Sequence, residues 1–363
     1  MKRTLAPVLL LLALIGAGLH RDANAEPYLA VGQGYKCNAC HVNPTGGGLR
    51  NAFGVVFAEN FLPAHGLPQG APAWTGGIGD YLRLGGDLRE SWSRTEVPKL
   101  PAQQGWGLDQ LRLYGNVDVI PNRLGLYVDE ALAPGNAQTQ EANVRYTHAP
   151  GDWYVKAGKF YLPFGWRLQD NSAFVREVSG ISMTTPDNGI ELGLERPELS
   201  AQVALTNGSA NAGTGSGHQV TGQVVWVKPQ GRIGLAASFT NSRAGDRRVV
   251  GTFAGLRTGP LVWLGEADLV QDDGFPEGRR SLYAGLAEVD WGIRRGHNLK
   301  LTYEYFDPDR KVAGDQKVRY SLVYEYTPLP FVQLRFGVRR YRGIPQNDVD
   351  NRRLVFAEIH GFL

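Results

Sequence analysis

The 363-residue chain carries 38 Lys and Arg against 35 Asp and Glu, a formal net charge of +3. That near-balance excludes the basic excess of a typical nucleic-acid-binding protein, so no nucleic-acid partner is expected. Glycine is abundant at 47 residues, cysteine is held to two, and beyond the N-terminal stretch the apolar runs are far too short for a membrane helix.

Residues 1–25 read as an export signal. Lys2 and Arg3 supply the charged start, Val8 to Leu19 is almost wholly apolar, and Ala23-Asn24-Ala25 has the small-x-small pattern of a cleavage site, which starts the mature chain at Glu26. The apolar run falls short of the roughly twenty residues that span a bilayer.

Residues 26–79 form a short module of different character, holding both cysteines in "YKCNACHVNPTGGG". C-x-x-C-H is the attachment pattern for one covalent c-type haem. Cys37 and Cys40 become the thioether anchors and His41 the proximal iron ligand. A thioredoxin-like redox pair, a zinc site and a plain disulfide share the C-x-x-C element. The first wants a βαβ context, the second a fourth nearby ligand, and the third leaves His41 without a role. Gly46-Gly47-Gly48 permits close approach of the backbone to a flat ring. Phe53, Phe57 and Phe61 recur every four residues, marking one apolar face of a short helix ending near Pro63, which suits either a haem edge or ordinary packing. For the second axial position His65 is the first candidate, as the other histidine of the module; His360 and Met183 are the remaining ones.

From Asp80 to Leu363 the period is two. In "QLRLYGNVDV", Leu111, Leu113, Val117 and Val119 share one face and Arg112, Asn116 and Asp118 the other; Val332, Leu334, Phe336 and Val338 repeat the pattern near the end. Tight joins such as Pro121-Asn122, Pro229-Gly231 and Thr327-Pro330 alternate with longer polar segments, among them 94–107 and 163–188. That asymmetry belongs to the periplasmic turns and external loops of an outer-membrane barrel. The expected fold is therefore all-β: an antiparallel barrel of about sixteen strands in the lipid bilayer of the bacterial outer membrane, with a short N-terminal α-helical haem module. A module this small would have a marginal core alone, so it is expected to lean on the barrel as a plug in the lumen. Tyr303, Tyr305, Tyr320, Tyr324 and Tyr326 fall on lipid-facing parity. Arg83, Arg89, Arg112, Arg145, Arg335 and Arg339 share lumen parity with Asp87, Asp118, Glu325 and Glu358, which predicts ion pairs across the interior. Two external clusters, Asp272, Asp273, Glu277 and Asp307, Asp309, Asp315, are candidate sites for a hard cation.

In the order of its parts, and in "LRNAFGVVFAENF" after the haem motif and "AGKFYLPFGWR" at Ala157 to Arg167, the chain resembles the fused monohaem cytochrome–porins of the bacterial outer membrane, a family that includes outer-membrane iron oxidases. The resemblance implies electron transfer through haem on Cys37, Cys40 and His41, between an external reductant such as Fe(II) and a periplasmic c-type cytochrome or other electron carrier. A channel-forming porin with a structural or sensory haem module is the alternative. No Ser/His/Asp order, phosphate loop or zinc-protease motif is present, so any enzymatic chemistry would be the haem's one-electron exchange.

Overall fold

The computed structural model describes residues 26–68, 70–71, 74–209, 217–243 and 245–363; the expected signal peptide lies outside the described residues. Sixteen antiparallel strands form the barrel: β1 Leu82–Glu96, β2 Gln103–Ile120, β3 Leu124–Ala133, β4 Gln138–Thr147, β5 Trp153–Phe160, β6 Asp187–Arg196, β7 Leu199–Thr206 and β8 His218–Lys228. They continue as β9 Gly231–Ser242, β10 Gly245–Thr258, β11 Leu261–Asp272, β12 Arg280–Arg294, β13 His297–Asp307, β14 Lys317–Leu329, β15 Val332–Arg342 and β16 Arg353–Phe362. Each pairs with its sequence neighbour, and β16 closes the barrel on β1 through registers such as Ala357↔Trp92 and Phe362↔Asp87. A two-residue strand, Gly77–Ile78, pairs with the start of β1.

The alternation is inverted relative to a soluble sandwich, as expected. Along β9, Ile233, Leu235 and Phe239 are exposed while Arg232, Ser238 and Thr240 are buried. The same holds around the wall, where Leu113, Leu192, Leu205, Leu301, Leu322 and Phe336 all face outward. So large an exposed apolar surface is lipid-facing, and with a polar interior and an even strand count it is an outer-membrane barrel. The bacterial outer membrane is where the chain resides.

The first expected loop is a correction. Residues 94–107 are mostly strand, because β1 and β2 stay in register to Thr95↔Gln103, with Trp92 opposite Trp106; only 97–102 form the connection. Ladder pairing uses the backbone alone, so it runs on past the polar side chains that suggested a loop.

The lumen is filled from both ends. At the short-turn end the N-terminal segment enters as helix α1 (Pro27–Gln33), a single 3₁₀ turn (Cys37–Ala39) and helix α2 (Ala52–Asn60). Turns and strand ends at that end hold it. Lys36 donates to the carbonyls of Arg196 (2.9 Å) and Leu199 (3.2 Å), Arg295 to Pro63 (2.7 Å), and the backbone N–H of Ala64 to Thr327 (2.8 Å). Deeper in, Tyr28 Oη donates to Glu325 (2.9 Å), and Glu26 pairs with Lys300. From the other end, the connection 161–186 folds inward around helix α3 (Phe174–Ser179), with Phe164, Trp166, Val175 and Ile181 buried. Arg176 pairs with Glu266, and Arg319 with Asp170 (2.8 Å) and Glu304. The strands opposite these inserts carry apolar residues on both faces: Val225, Val227, Phe253, Val262, Leu264 and Leu286 are buried on the lumen side. A water-filled channel has no use for them; they pack against the inserts.

Three of the six expected lumen arginines pair with the expected carboxylates: Arg89–Asp87 (3.0 Å), Arg335–Glu325 (3.3 Å), Arg335–Glu358 (2.9 Å) and, at 3.9 Å, Arg83–Asp118. Arg112 instead pairs with Asp129 of the neighbouring strand β3 (3.3 Å), while the inserts bring nearer partners to the other two: Arg339 pairs with Asp170 (2.8 Å) and Arg145 donates to the Val42 carbonyl.

Leu301 sits mid-strand on the lipid face, in register with Val289 and Leu322. Leu301→Arg is expected to cost about 2–4 kcal/mol in urea unfolding from lipid vesicles, as a cation in mid-bilayer does. Val312→Arg, on the exposed 308–316 loop, should shift the same transition by less than about 0.5 kcal/mol.

Candidate functional site

The C-x-x-C-H segment occupies the turn between the two N-terminal helices. α1 starts with Pro27 at its first position and stops at Gly34 in the left-handed conformation (φ 69°), whose neighbour Tyr35 returns its N–H to the Ala30 carbonyl (2.8 Å). The chain then winds through Cys37–Ala39, with the N–H groups of Cys40 and His41 both on the Cys37 carbonyl (3.2 and 3.1 Å). Next, His41 pairs with Arg50 as a small antiparallel bridge, turning at Gly46-Gly47-Gly48 with φ of 88°, 80° and 64°, which only glycine adopts freely.

Asn51 fastens this turn to α2. Its Oδ1 caps the helix by accepting from Gly54 N–H (2.9 Å), and its Nδ2 donates to the carbonyls of Asn38 (3.1 Å) and Ala39 (3.0 Å) inside the motif. Gly54 lies so close that an added Cβ would sit 2.1 Å from the Cys40 carbonyl oxygen. The expected phenylalanine face is real but divided. Phe53, Phe57 and Phe61 stack along α2 at 6.0 and 5.6 Å, Phe53 and Phe61 are exposed, and Phe57 turns toward the motif.

Cys37 and Cys40 are free thiols and open, with His41, on one cleft enclosing about 1150 Å³ of space unfilled by protein, counting its open mouth. Its apolar wall combines Phe57, Ala58 and Leu62 of the module with Val225, Val227 and Phe253 of the barrel, and Trp166 of the inward loop closes one side. Trp166 meets Phe253 edge-on at 5.1 Å and donates its indole N–H to Gly265 O (3.0 Å). Arg50, Arg167 and Arg232 bring positive charge to the same cleft, and Met183, also from the inward loop, lines it.

Burial first, then the Arg50 charge, lower His41 to about 4, so its imidazole is neutral, the form that ligates a metal. Its Nδ1 is buried without a hydrogen-bond partner. Burial pushes the Cys40 thiol up to about 11, so it stays protonated. These residues fit the group that the C-x-x-C-H pattern implies: two thiols on an apolar slot, a neutral imidazole beside them, and arginines for acidic substituents. A zinc ion fits less well, because among the described residues no three His, Cys, Asp or Glu side chains are grouped as a metal ion needs.

Three expectations are corrected. His65 is exposed at the short-turn end, its N–H on the Pro328 carbonyl (3.1 Å), and it lies outside the cleft; the chain turns toward Pro328 after Pro63 and takes the imidazole away. His360 is buried but committed to Asp87 (2.9 Å) and Gln333 (3.3 Å). The external acid cluster at 272–277 is no open cation site either: Asp272 pairs with Arg247 (2.6 Å), Asp273 with Arg279 (2.6 Å) and Glu277 with Arg280 (3.0 Å).

The barrel has the porin fold. The anion-selective porin from Comamonas acidovorans matches it with a TM-score of 0.63 at 12% identity, over 78% of this chain and 99% of its own. OprB of Pseudomonas putida at high pH matches with a TM-score of 0.61 at 10% identity, over 78% of this chain and 94% of its own. OmpT of Vibrio cholerae in its trimer form gives 0.60 at 10% identity, over 78% and 100%. At such identities the likeness is one of fold. No sequence-family model matches the chain, and no curated protein matches it.

Alanine inside a helix normally gains about 1 kcal/mol over glycine. At Gly54 the sign should reverse, because the new methyl displaces the Cys40 carbonyl. Trypsin cleavage after Lys36, which is paired with Glu195 in the folded barrel, should speed up in Gly54→Ala; unchanged resistance would show that the close approach does not hold the turn.

Proposed function

We propose that this barrel is an outer-membrane cytochrome–porin that relays electrons between an external donor such as Fe(II) and a periplasmic c-type cytochrome or similar carrier. The observation that carries this is the shared cleft: two free thiols and a buried imidazole, at C-x-x-C-H spacing, open on one apolar slot inside a filled barrel. Cys37 and Cys40 would hold a haem by adding their S–H groups across its two vinyls, with sulfur on one carbon of each vinyl and the hydrogen on the other. His41 would bind the iron. Once bound, the haem supplies reversible one-electron exchange.

The chain's own residues do the rest. Phe57, Leu62, Val225 and Phe253 keep water from the slot, which lowers the local dielectric and makes the redox potential sensitive to nearby charge. Arg50, Arg167 and Arg232 can neutralise acidic substituents, and each is already braced. Arg167 donates to Thr45 (3.0 Å) and to Tyr161 O (3.0 Å), Arg232 donates to Tyr35 O, and the Arg50 guanidinium stacks on Phe362 at 4.6 Å. The inserts occupy the path that ions would take, so electrons rather than solutes are what this barrel suits.

A channel-forming porin with a structural haem module is the second reading, favoured by the porin fold of the barrel. Two measurements separate them. Haem staining of the outer-membrane fraction should show a band that Cys37→Ala combined with Cys40→Ala abolishes, and Fe(II) should reduce the purified protein's haem. In planar bilayers the intact chain should conduct poorly, while deletion of 26–68 should raise conductance severalfold. High conductance of the intact chain with no reduction by Fe(II) would favour the channel.

A further inference from the structure

The proximal histidine comes from the N-terminal insert, but the cleft is bounded on another side by the inward connection 161–186. Met183 lies there, at a position the fold builds with care. Helix α3 ends at Gly180 in the left-handed conformation (φ 70°), Ile181 is buried, and Ser182 N–H donates to Thr185 Oγ1 (2.9 Å), which fixes a tight turn around the methionine. Arg112 of β2 then holds the Met183 carbonyl (2.9 Å) while its other nitrogen donates to Tyr161 Oη (2.7 Å) at the start of the same connection. The backbone of Met183 is thus tied to the barrel wall and its side chain is left for the cleft. Its sulfur lies against the triglycine turn, so close to Gly47 that an added Cβ would come within 3.1 Å of it.

We infer that Met183 would offer its thioether sulfur to the iron of a haem held by Cys37, Cys40 and His41, which would join the N-terminal insert to the inward loop. This rests on the haem proposed above. Of the cationic residues lining the cleft, Lys36 pairs with Glu195 and donates to two carbonyls, and the arginines stay protonated and cannot ligate. His65 and His360 lie outside it. A thioether is a neutral, soft ligand needing no deprotonation, suited to a dry slot, and His/Met ligation raises the potential of a c-type haem.

The test uses the full-length protein purified from outer membranes. Its oxidised spectrum should contain the weak long-wavelength sulfur-to-iron charge-transfer band of His/Met haem. Met183→Leu keeps the volume of the side chain and should lose that band, become high-spin, bind carbon monoxide when reduced and show a lower midpoint potential, with denatured haem content and heat-modifiable mobility unchanged. Met183→His should restore a low-spin spectrum without the band. Covalent haem in a wild-type protein lacking the band, or a band that survives Met183→Leu, overturns the assignment and leaves haem attachment standing. A wild-type protein with no covalent haem overturns both.

Discussion

Buried charge needs a partner, and the interior of this barrel is organised around that need. Its walls place Lys300, Arg319, Arg335, Glu304 and Glu325 on the lumen side, all nearly excluded from solvent. An ion left unpaired there costs several kcal/mol. Partners come partly from neighbouring strands, as Arg335 with Glu358, and partly from the inserts, as Lys300 with Glu26 and Arg319 with Asp170. Without the inserts these positions would have to be wet. With them, the lumen is a packed interior, and inserts and wall form one structure.

The cleft arises from the same packing. Two inserts of irregular shape enter from opposite ends, and they cannot meet as two flat surfaces would. The gap falls where the triglycine turn, Trp166 and the apolar wall of Val225, Val227 and Phe253 come together. Cys37, Cys40 and His41 edge it because Asn51 ties the Asn38 and Ala39 carbonyls between them to α2 and Gly54 lets that helix close on Cys40. A fifty-residue module with a marginal core of its own gains from the barrel what a larger domain would build for itself.

Much of the fold was legible in the chain. Strict alternation and alternating loop lengths mark sixteen strands with mostly small boundary errors, because a lipid-facing barrel exposes its pattern residue by residue. The plug was legible too, in part. Apolar residues on both faces of β8 to β12, as in "LVWLGEADLV", are a sign of a filled lumen, and the period-two count passes over them. Helix α1 was missed although Pro27 and Gly34 punctuate it, since seven residues offer too little periodicity to read. His65 was attractive only for being near in sequence; the chain turns away after Pro63.

By itself the sequence determined local patterns: a C-x-x-C-H spacing near the start, and strands whose faces alternate. Those are local properties, set by neighbours within a few residues. Only the tertiary structure decided which residues share the cleft. Met183, Trp166 and Arg232 are separated from Cys37 by more than a hundred positions, and pairing round a closed barrel, together with a loop that folds inward, brings them to it. Nothing in the spacing along the chain encodes that meeting; the closure of the sheet and the need to fill its interior do.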